Sequence, residues 1–144
     1  MRSNRQRTWL PTLAIVGTVV LGAVLVVAAE KKEEWKVPPA EAQKKNPVPV
    51  SDESLAAGKE AYDGQCEECH GASGKNDGKK IAEMKKEDKD RMTPLTDPSV
   101  AKQTDGELFW KISEGNKPMP SGKKLMEPDE MWSVVNYIRT FTKK

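Results

Sequence analysis

The sequence predicts an all-α domain set behind one membrane-crossing helix, and three observations carry that prediction. Apolar residues recur at helical spacing in several stretches after Ser51, while no run alternates at the two-residue period of a strand. The N-terminal part holds an uncharged, mostly aliphatic run, Leu10–Ala29, of 20 residues. A span of about 20 apolar residues crosses a bilayer as a helix. Between the two lies a proline-rich stretch with no apolar period. The 144 residues leave room for one small domain and a leader.

Taken in order, residues 1–8 form a basic leader carrying Arg2, Arg5 and Arg7 and no acid, which places that end in the cytoplasm. Residues 9–29 read as a transmembrane anchor, with Pro11 tolerated in its first turn. The alternative is a cleaved signal peptide, for which Val27-Ala28-Ala29 offers small residues, although a signal core usually runs about 7–15 residues. No cysteine lies near the end of the run, so a lipoprotein anchor is excluded. Either way, the residues after Glu30 lie outside the cytoplasm. Residues 30–50 alternate in charge and hold Pro38, Pro39, Pro47 and Pro49, which reads as an extended, partly polyproline tether. The competing reading is an arm packed on the domain, with Trp35 as its obvious anchor.

Residues 51–144 form the folded domain. Ser51 is a good N-cap, and Asp52 and Glu53 suit the positive end of a helix. Leu55, Gly58, Tyr62 and Cys66 then share one helical face, and the helix breaks near Gly71 and Gly74. Lys79–Arg91 is a mixed-charge stretch with at most a short helix, and Met92–Thr96 is extended or turned because Pro94 disfavours helix before it. Asp97-Pro98 starts a short helix to about Gln103. Thr104-Asp105-Gly106-Glu107 is a capping box for a helix ending before Gly115, with Leu108, Ile112 and either Phe109 or Trp110 facing inward. The last helix begins at Pro128, buries Met131, Val134, Val135, Ile138 and Phe141, and closes on Lys143 and Lys144.

The chemistry concentrates in one pentapeptide, Cys66-Glu67-Glu68-Cys69-His70, which holds both cysteines and the only histidine of the chain. A C-x-x-C-H run is the attachment site for c-type haem: two thiols on neighbouring turns of one helix bind the porphyrin, and the histidine that follows is placed to bind iron. Other readings are weaker. A structural zinc site wants four ligands from separated segments. A dithiol redox centre wants a βαβ context, and a structural disulfide leaves His70 unexplained. A domain with two Phe and two Tyr cannot build a deep core unaided; a covalent haem would supply the missing apolar surface.

Because His70 has no second histidine to oppose it, a sixth ligand would be a methionine. Met131 belongs to the apolar stripe of the last helix, Met84 lies in the charged segment beside the attachment site, and Met92 remains open near Pro94. Met119 lies between Pro118 and Pro120 in a loop between helices. Flanking prolines hold such a backbone extended and reduce the entropy lost when the sulfur is fixed. Met126 is the runner-up and otherwise a packing residue before the last helix.

The run C-E-E-C-H-G-A-S-G-K-N-D-G, then T-D-G-E-L-F-W-K-I-S-E-G, then M-P-S-G-K-K-L-M-E-P-D-E-M-W-S-V-V-N-Y-I-R resembles class I bacterial cytochrome c over Ser51–Thr142. The resemblance implies a small helical domain wrapped around one covalent haem c, with His70 and Met119 as the iron ligands. It also implies export before haem attachment, and a crossing of the first and last helices that maps onto Gly58 and Tyr62 against Val134 and Tyr137. The family often has a proline after its G-D-G-like turn, whose neighbouring carbonyl accepts the proton of the ligand imidazole. Here Asp77-Gly78 is followed by Lys79 and Lys80.

Charge narrows the partners. The chain has 24 Lys/Arg against 22 Asp/Glu, and without the three leader arginines 21 remain, a formal −1. That excludes a basic nucleic-acid binder. Lys117, Lys123 and Lys124 near Met119, with Lys75, Lys79 and Lys80 after the attachment site, read either as solvated charge or as a local rim for an acidic partner. The expected function is electron transfer, without catalysis or a small-molecule substrate, on the periplasmic side of a bacterial cytoplasmic membrane. The partners are a donor such as a quinol-oxidising complex and an acceptor such as a terminal oxidase or reductase. The alternative is a permanent haem subunit of a quinol- or nitric-oxide-handling complex or a terminal oxidase. A peroxidase or ligand sensor fits poorly, since no distal histidine exists.

Overall fold

Helix starts in this chain are written by side chains that close on their own backbone. The computed structural model describes residues 35–142. Ser51 opens α2 (Asp52–Gln65) by accepting from the Ser54 amide at 3.1 Å, while the Ser51 amide donates to Ser54 Oγ at 3.0 Å. Thr104 and Glu107 exchange the same pair of bonds, at 3.1 and 2.6 Å, to open α6 (Asp105–Glu114). Asp97 accepts from the Ser99 amide at 2.8 Å to start α5 (Pro98–Ala101). α7 (Pro128–Thr142) begins with the Glu127 amide donating to Glu130 Oε2 at 2.7 Å. Each bond satisfies a donor that the first helical turn would otherwise leave unpaired.

The remaining helices are short: α1 (Pro39–Ala42), α3 (Glu67–His70) and α4 (Lys86–Arg91), with 3₁₀ turns at Lys79–Glu83 and Gly122–Lys124. The described residues hold no named strand, only an isolated antiparallel bridge between Asn116 and Met119. The domain is all-α, as the helical spacing predicts. The expected leader 1–8 and anchor 9–29 lie outside the described residues, as do Lys143 and Lys144. Among the described residues no helix is long and apolar enough to cross a membrane.

The centre of the domain is the crossing of α2 with α7. Gly58 lies against α7 so closely that a Cβ there would run into the Ser133 carbonyl oxygen, with Tyr137 Cβ 3.1 Å away. Only glycine lets two helix backbones approach to that degree. One turn on, the fully buried Tyr62 meets Tyr137 edge-on at 5.3 Å and Phe141 at 5.4 Å. Val134 and Val135 are also fully buried, and Val100, Leu108, Ile112, Met131, Trp132 and Ile138 complete the core.

α6 resolves the choice between its two aromatics by using both. Phe109 faces inward and stacks on Trp132 with centroids 3.9 Å apart, whereas Trp110 meets Trp35 at 6.2 Å. Arg139 of α7 ties this layer to the end of α5. Its guanidinium donates to Asp105 Oδ1 at 2.9 and 2.7 Å and to the carbonyls of Val100, Ala101 and Gln103. Donors at the carbonyl end of a short helix satisfy the groups its own ladder cannot.

Residues 35–50 correct the reading of 30–50 as a tether. They form a strap packed on the domain. Thr104 Oγ1 donates to the Ala42 carbonyl at 2.6 Å, and Gly106 has no room for a Cβ because the Glu41, Ala42 and Lys44 carbonyls lie over it. Lys111 Nζ lies 5.7 Å from the Trp35 ring centroid, within cation–π range. Asn46 Nδ2 donates to the Trp132 carbonyl at 3.1 Å and to Asn136 Oδ1 at 2.9 Å, and Asn136 Nδ2 donates back to the Val48 carbonyl at 3.1 Å. Ser54 Oγ donates to the Pro49 carbonyl at 2.8 Å. The strap is held by amide and hydroxyl bonds, not by an apolar period, so hydrophobic patterning does not announce it.

Asn136 is buried, so its loss leaves strap groups without partners. Asn136→Ala is expected to lower stability by about 1–3 kcal/mol. It should also speed amide exchange and proteolytic cutting within 35–50 more than within α2. Equal exchange of the strap in both proteins would show that these bonds do not hold it.

Candidate haem attachment site

Tyr62 connects the helix crossing to the pentapeptide. Its hydroxyl donates to the Gly71 carbonyl at 2.7 Å, pinning the backbone just beyond His70. Burial pushes the Tyr62 phenol well above its usual range, so it stays a neutral donor. α2 does not run unbroken through the motif as the sequence reading has it. It ends at Gln65, and Cys66 stands at the junction with φ −117° and ψ −36° before α3 resumes. The ladder continues across the junction, with the Cys66 amide on the Tyr62 carbonyl at 2.8 Å and the His70 amide on the Cys66 carbonyl at 2.9 Å. Cys66 therefore stands at the helix junction and Cys69 within α3, instead of both lying on one unbroken helix.

Gly71, with φ 75°, ends α3 and turns the chain back. The returning loop bonds to the helix it has just left: the Asn76 amide reaches the His70 carbonyl at 2.9 Å and the Gly78 amide the Cys69 carbonyl at 3.3 Å. Asn76 has φ 59°, a conformation asparagine tolerates better than most residues. Its side-chain Oδ1 lies 3.1 Å from His70 Nδ1. An amide oxygen only accepts, so Nδ1 carries the proton and Nε2 keeps the lone pair that a metal takes. Burial lowers the His70 pKa and the Asn76 bond partly opposes it, so the ring is neutral at pH 7.

Cys66 and Cys69 form no disulfide. Burial, with Cys69 alongside, pushes Cys66 up to about 12. A redox-active dithiol works through a lowered thiolate pKa, which burial opposes at Cys66. Among the described residues no group of three or more His, Cys, Asp or Glu is placed to hold a metal ion directly. Two unpaired thiols and an imidazole oriented by its other nitrogen form a donor set that fits a covalent haem.

Met119 lies at the edge of the same apolar cluster that takes Cys66. Its backbone is not extended as the flanking prolines suggest. The Asn116 amide donates to the Met119 carbonyl at 3.0 Å and the Met119 amide to the Asn116 carbonyl at 2.8 Å, closing a tight turn over a cis Lys117–Pro118 bond. Gly115, with φ 68°, packs under Pro120, and Ser121 Oγ donates to the Ser113 carbonyl at 2.6 Å. Met126 is also partly buried against the cluster, with its amide on the Gly122 carbonyl at 2.9 Å. Met131 is buried in the core as the helical stripe predicts. Met84 and Met92 are partly exposed and flank α4.

Residues 53–138 match the family model described as cytochrome C oxidase, cbb3-type, subunit III. This chain belongs to that family. A comparison with curated proteins finds no match. As a c-type cytochrome it carries covalent haem c and acts in haem-based electron transfer, as a carrier or subunit. Of the six lysines read as a rim, Lys80 pairs with Glu68 and Lys123 with Glu114, whereas Lys75, Lys79, Lys117 and Lys124 are exposed. Asn76 is the site residue that hydrophobic and motif patterns miss. Its signal is an asparagine in the turn Lys75-Asn76-Asp77-Gly78, a position open to φ > 0 and close to His70 in sequence.

Cys66→Ala and Cys69→Ala are each expected to reduce stable holoprotein several-fold, and the double variant to retain no haem on a denaturing gel. Full haem staining in the double variant would show that the pentapeptide is not the attachment site.

Proposed function

We propose that this protein is a membrane-tethered electron carrier with one haem c, bonded to Cys66 and Cys69, with His70 and Met119 as axial ligands. The observation that carries the reading is the donor count. His70 is the only histidine and Asn76 engages its Nδ1, so one imidazole nitrogen serves one face and the other face needs a different donor. Met119 is supported by its bonded turn and its position at the edge of the cluster that takes Cys66. When bound, the haem iron supplies one-electron exchange between ferric and ferrous states, and a thioether ligand raises its potential. With both axial positions taken by side chains, the chain leaves no position for a substrate.

The domain belongs on the outer face of a bacterial cytoplasmic membrane, receiving electrons from a donor such as a quinol-oxidising complex and passing them to a terminal oxidase or reductase. The uncharged run 10–29 and the arginines before it support that placement. The second reading, a permanent haem subunit of a membrane oxidoreductase, is favoured by the family description.

Met119→Ala is expected to keep covalent haem but lose the thioether-to-ferric-iron charge-transfer band. Its potential should fall by at least one tenfold step in the ferric-to-ferrous ratio, about 59 mV. The reduced variant should bind carbon monoxide, whereas the wild type binds it poorly. Met126→Ala should keep the band; the reverse pattern would move the ligand to Met126 and leave electron transfer standing.

Gentle detergent extraction of native membranes separates the two roles. A lone 16 kDa haem species is expected for the carrier, and stoichiometric co-purification with an oxidoreductase would make the chain a subunit.

A further inference from the structure

We infer that Asn76 is a positioning residue for the haem ligand: its side-chain carbonyl, in place of a backbone carbonyl, accepts the Nδ1 proton of His70 and so sets how strongly His70 donates to iron. The inference rests on His70 as axial ligand. Its physical basis is the 3.1 Å contact between Asn76 Oδ1 and His70 Nδ1. A ligating imidazole almost always gives its second nitrogen's proton to a fixed acceptor, which orients the ring and raises its basicity. Here the acceptor is held from two sides. The Asn76 amide is bonded to the His70 carbonyl at 2.9 Å, and the Gly78 amide to the Cys69 carbonyl at 3.3 Å, so the loop carrying the acceptor is fixed to the helix carrying the ligand. Gly78 cannot carry a Cβ because the Glu67 and Glu68 carbonyls lie against it, which keeps the loop in that register. The φ of 59° at Asn76 is one that only a few residue types adopt without strain.

A side-chain acceptor differs from a peptide carbonyl in that one substitution changes its charge without rebuilding the loop. Asp tolerates the same backbone region and puts a carboxylate against Nδ1–H, which increases imidazolate character and favours ferric iron. Gly tolerates it better still and removes the acceptor, which favours ferrous iron. The two substitutions therefore push the potential in opposite directions, and a purely structural role for Asn76 would not.

The test uses the holoprotein with Asn76→Asp and Asn76→Gly. At a fixed ambient potential, Asn76→Asp is expected to raise the ferric-to-ferrous ratio about tenfold, equivalent to about 59 mV. Asn76→Gly should lower the ratio severalfold and speed exchange of the His70 Nδ1–H proton seen by proton NMR of the ferric protein. Potentials that stay put in both variants, with slow Nδ1–H exchange retained in Asn76→Gly, would overturn the inference and assign the proton to another acceptor. If the His70 ring protons of the wild type show no hyperfine shift, His70 is not on the iron and the inference falls with that reading. Shifted ring protons with unmoved potentials sink the role of Asn76 alone. Should Asn76→Gly yield too little holoprotein, Asn76→Asp decides by the sign of its shift, and an unchanged or raised potential there counts against the proposal.

Discussion

The contact between Gly58 and the Ser133 carbonyl governs how the rest of the domain is arranged. Because no Cβ intervenes, α2 and α7 approach until their backbones touch, and that distance brings Tyr62 into the angle between Tyr137 and Phe141. Tyr62 is the first consequence of the crossing, and its hydroxyl carries that consequence out to Gly71. From Gly71 the chain returns through Asn76 to His70. A widened crossing would withdraw the hydroxyl, release the turn and leave the imidazole without its acceptor. The chemistry at His70 thus depends on packing two turns earlier in the helix, through one buried phenol that burial keeps protonated.

Much of this arrangement is legible in the sequence. Capping residues at Ser51, Thr104 and Pro128 write helix starts in strictly local chemistry, so their helices begin where the sequence places them. Met131, Val134, Val135 and Ile138 follow helical spacing because one face of α7 meets everything else. The pentapeptide is legible for a different reason: its donor types are rare, and the chain has no others. What escaped is held by polar bonds between residues distant in sequence. Asn46 and Asn136 find each other across the whole domain, and nothing in the neighbourhood of either announces it. Prolines at 38, 39, 47 and 49 suggest an extended segment, but extended backbone with free carbonyls is also what a packed strap needs. The break at Cys66 and the closed turn at Asn116–Met119 are local backbone geometries that hydrophobic spacing and flanking prolines do not specify.

The core is small for its chain. The large side chains that are fully buried, Tyr62, Val134 and Val135, lie at the α2–α7 crossing, and Cys66, Leu95, Phe109, Met119 and Met126 stay only partly covered at the cluster's edge. A covalent haem adds apolar area that aliphatic side chains do not supply here, which relates stability to cofactor attachment. Electron transfer in this family and the folding of this domain therefore draw on the same group. The strap extends the logic along α6 and α7, where Trp35 meets Trp110 and Asn46 exchanges bonds with Asn136.

The donors proposed for the iron are held by two loops that share little with each other. The loop after α3 is fixed by backbone bonds to His70 and Cys69, whereas the Met119 turn is fixed by Asn116, Gly115 and Ser121 against the end of α6. Neither loop contributes a residue to the Gly58 contact. Such a division lets ligand strength vary at either loop while the crossing stays intact, because residues without shared partners act nearly independently. On the proposed ligation, Asn76 on one side and the Asn116–Met119 turn on the other are places where ligand strength changes without the fold being rewritten. The departure of the Asn76–Gly78 turn from the proline-bearing pattern of its resemblance lies at one of those two places.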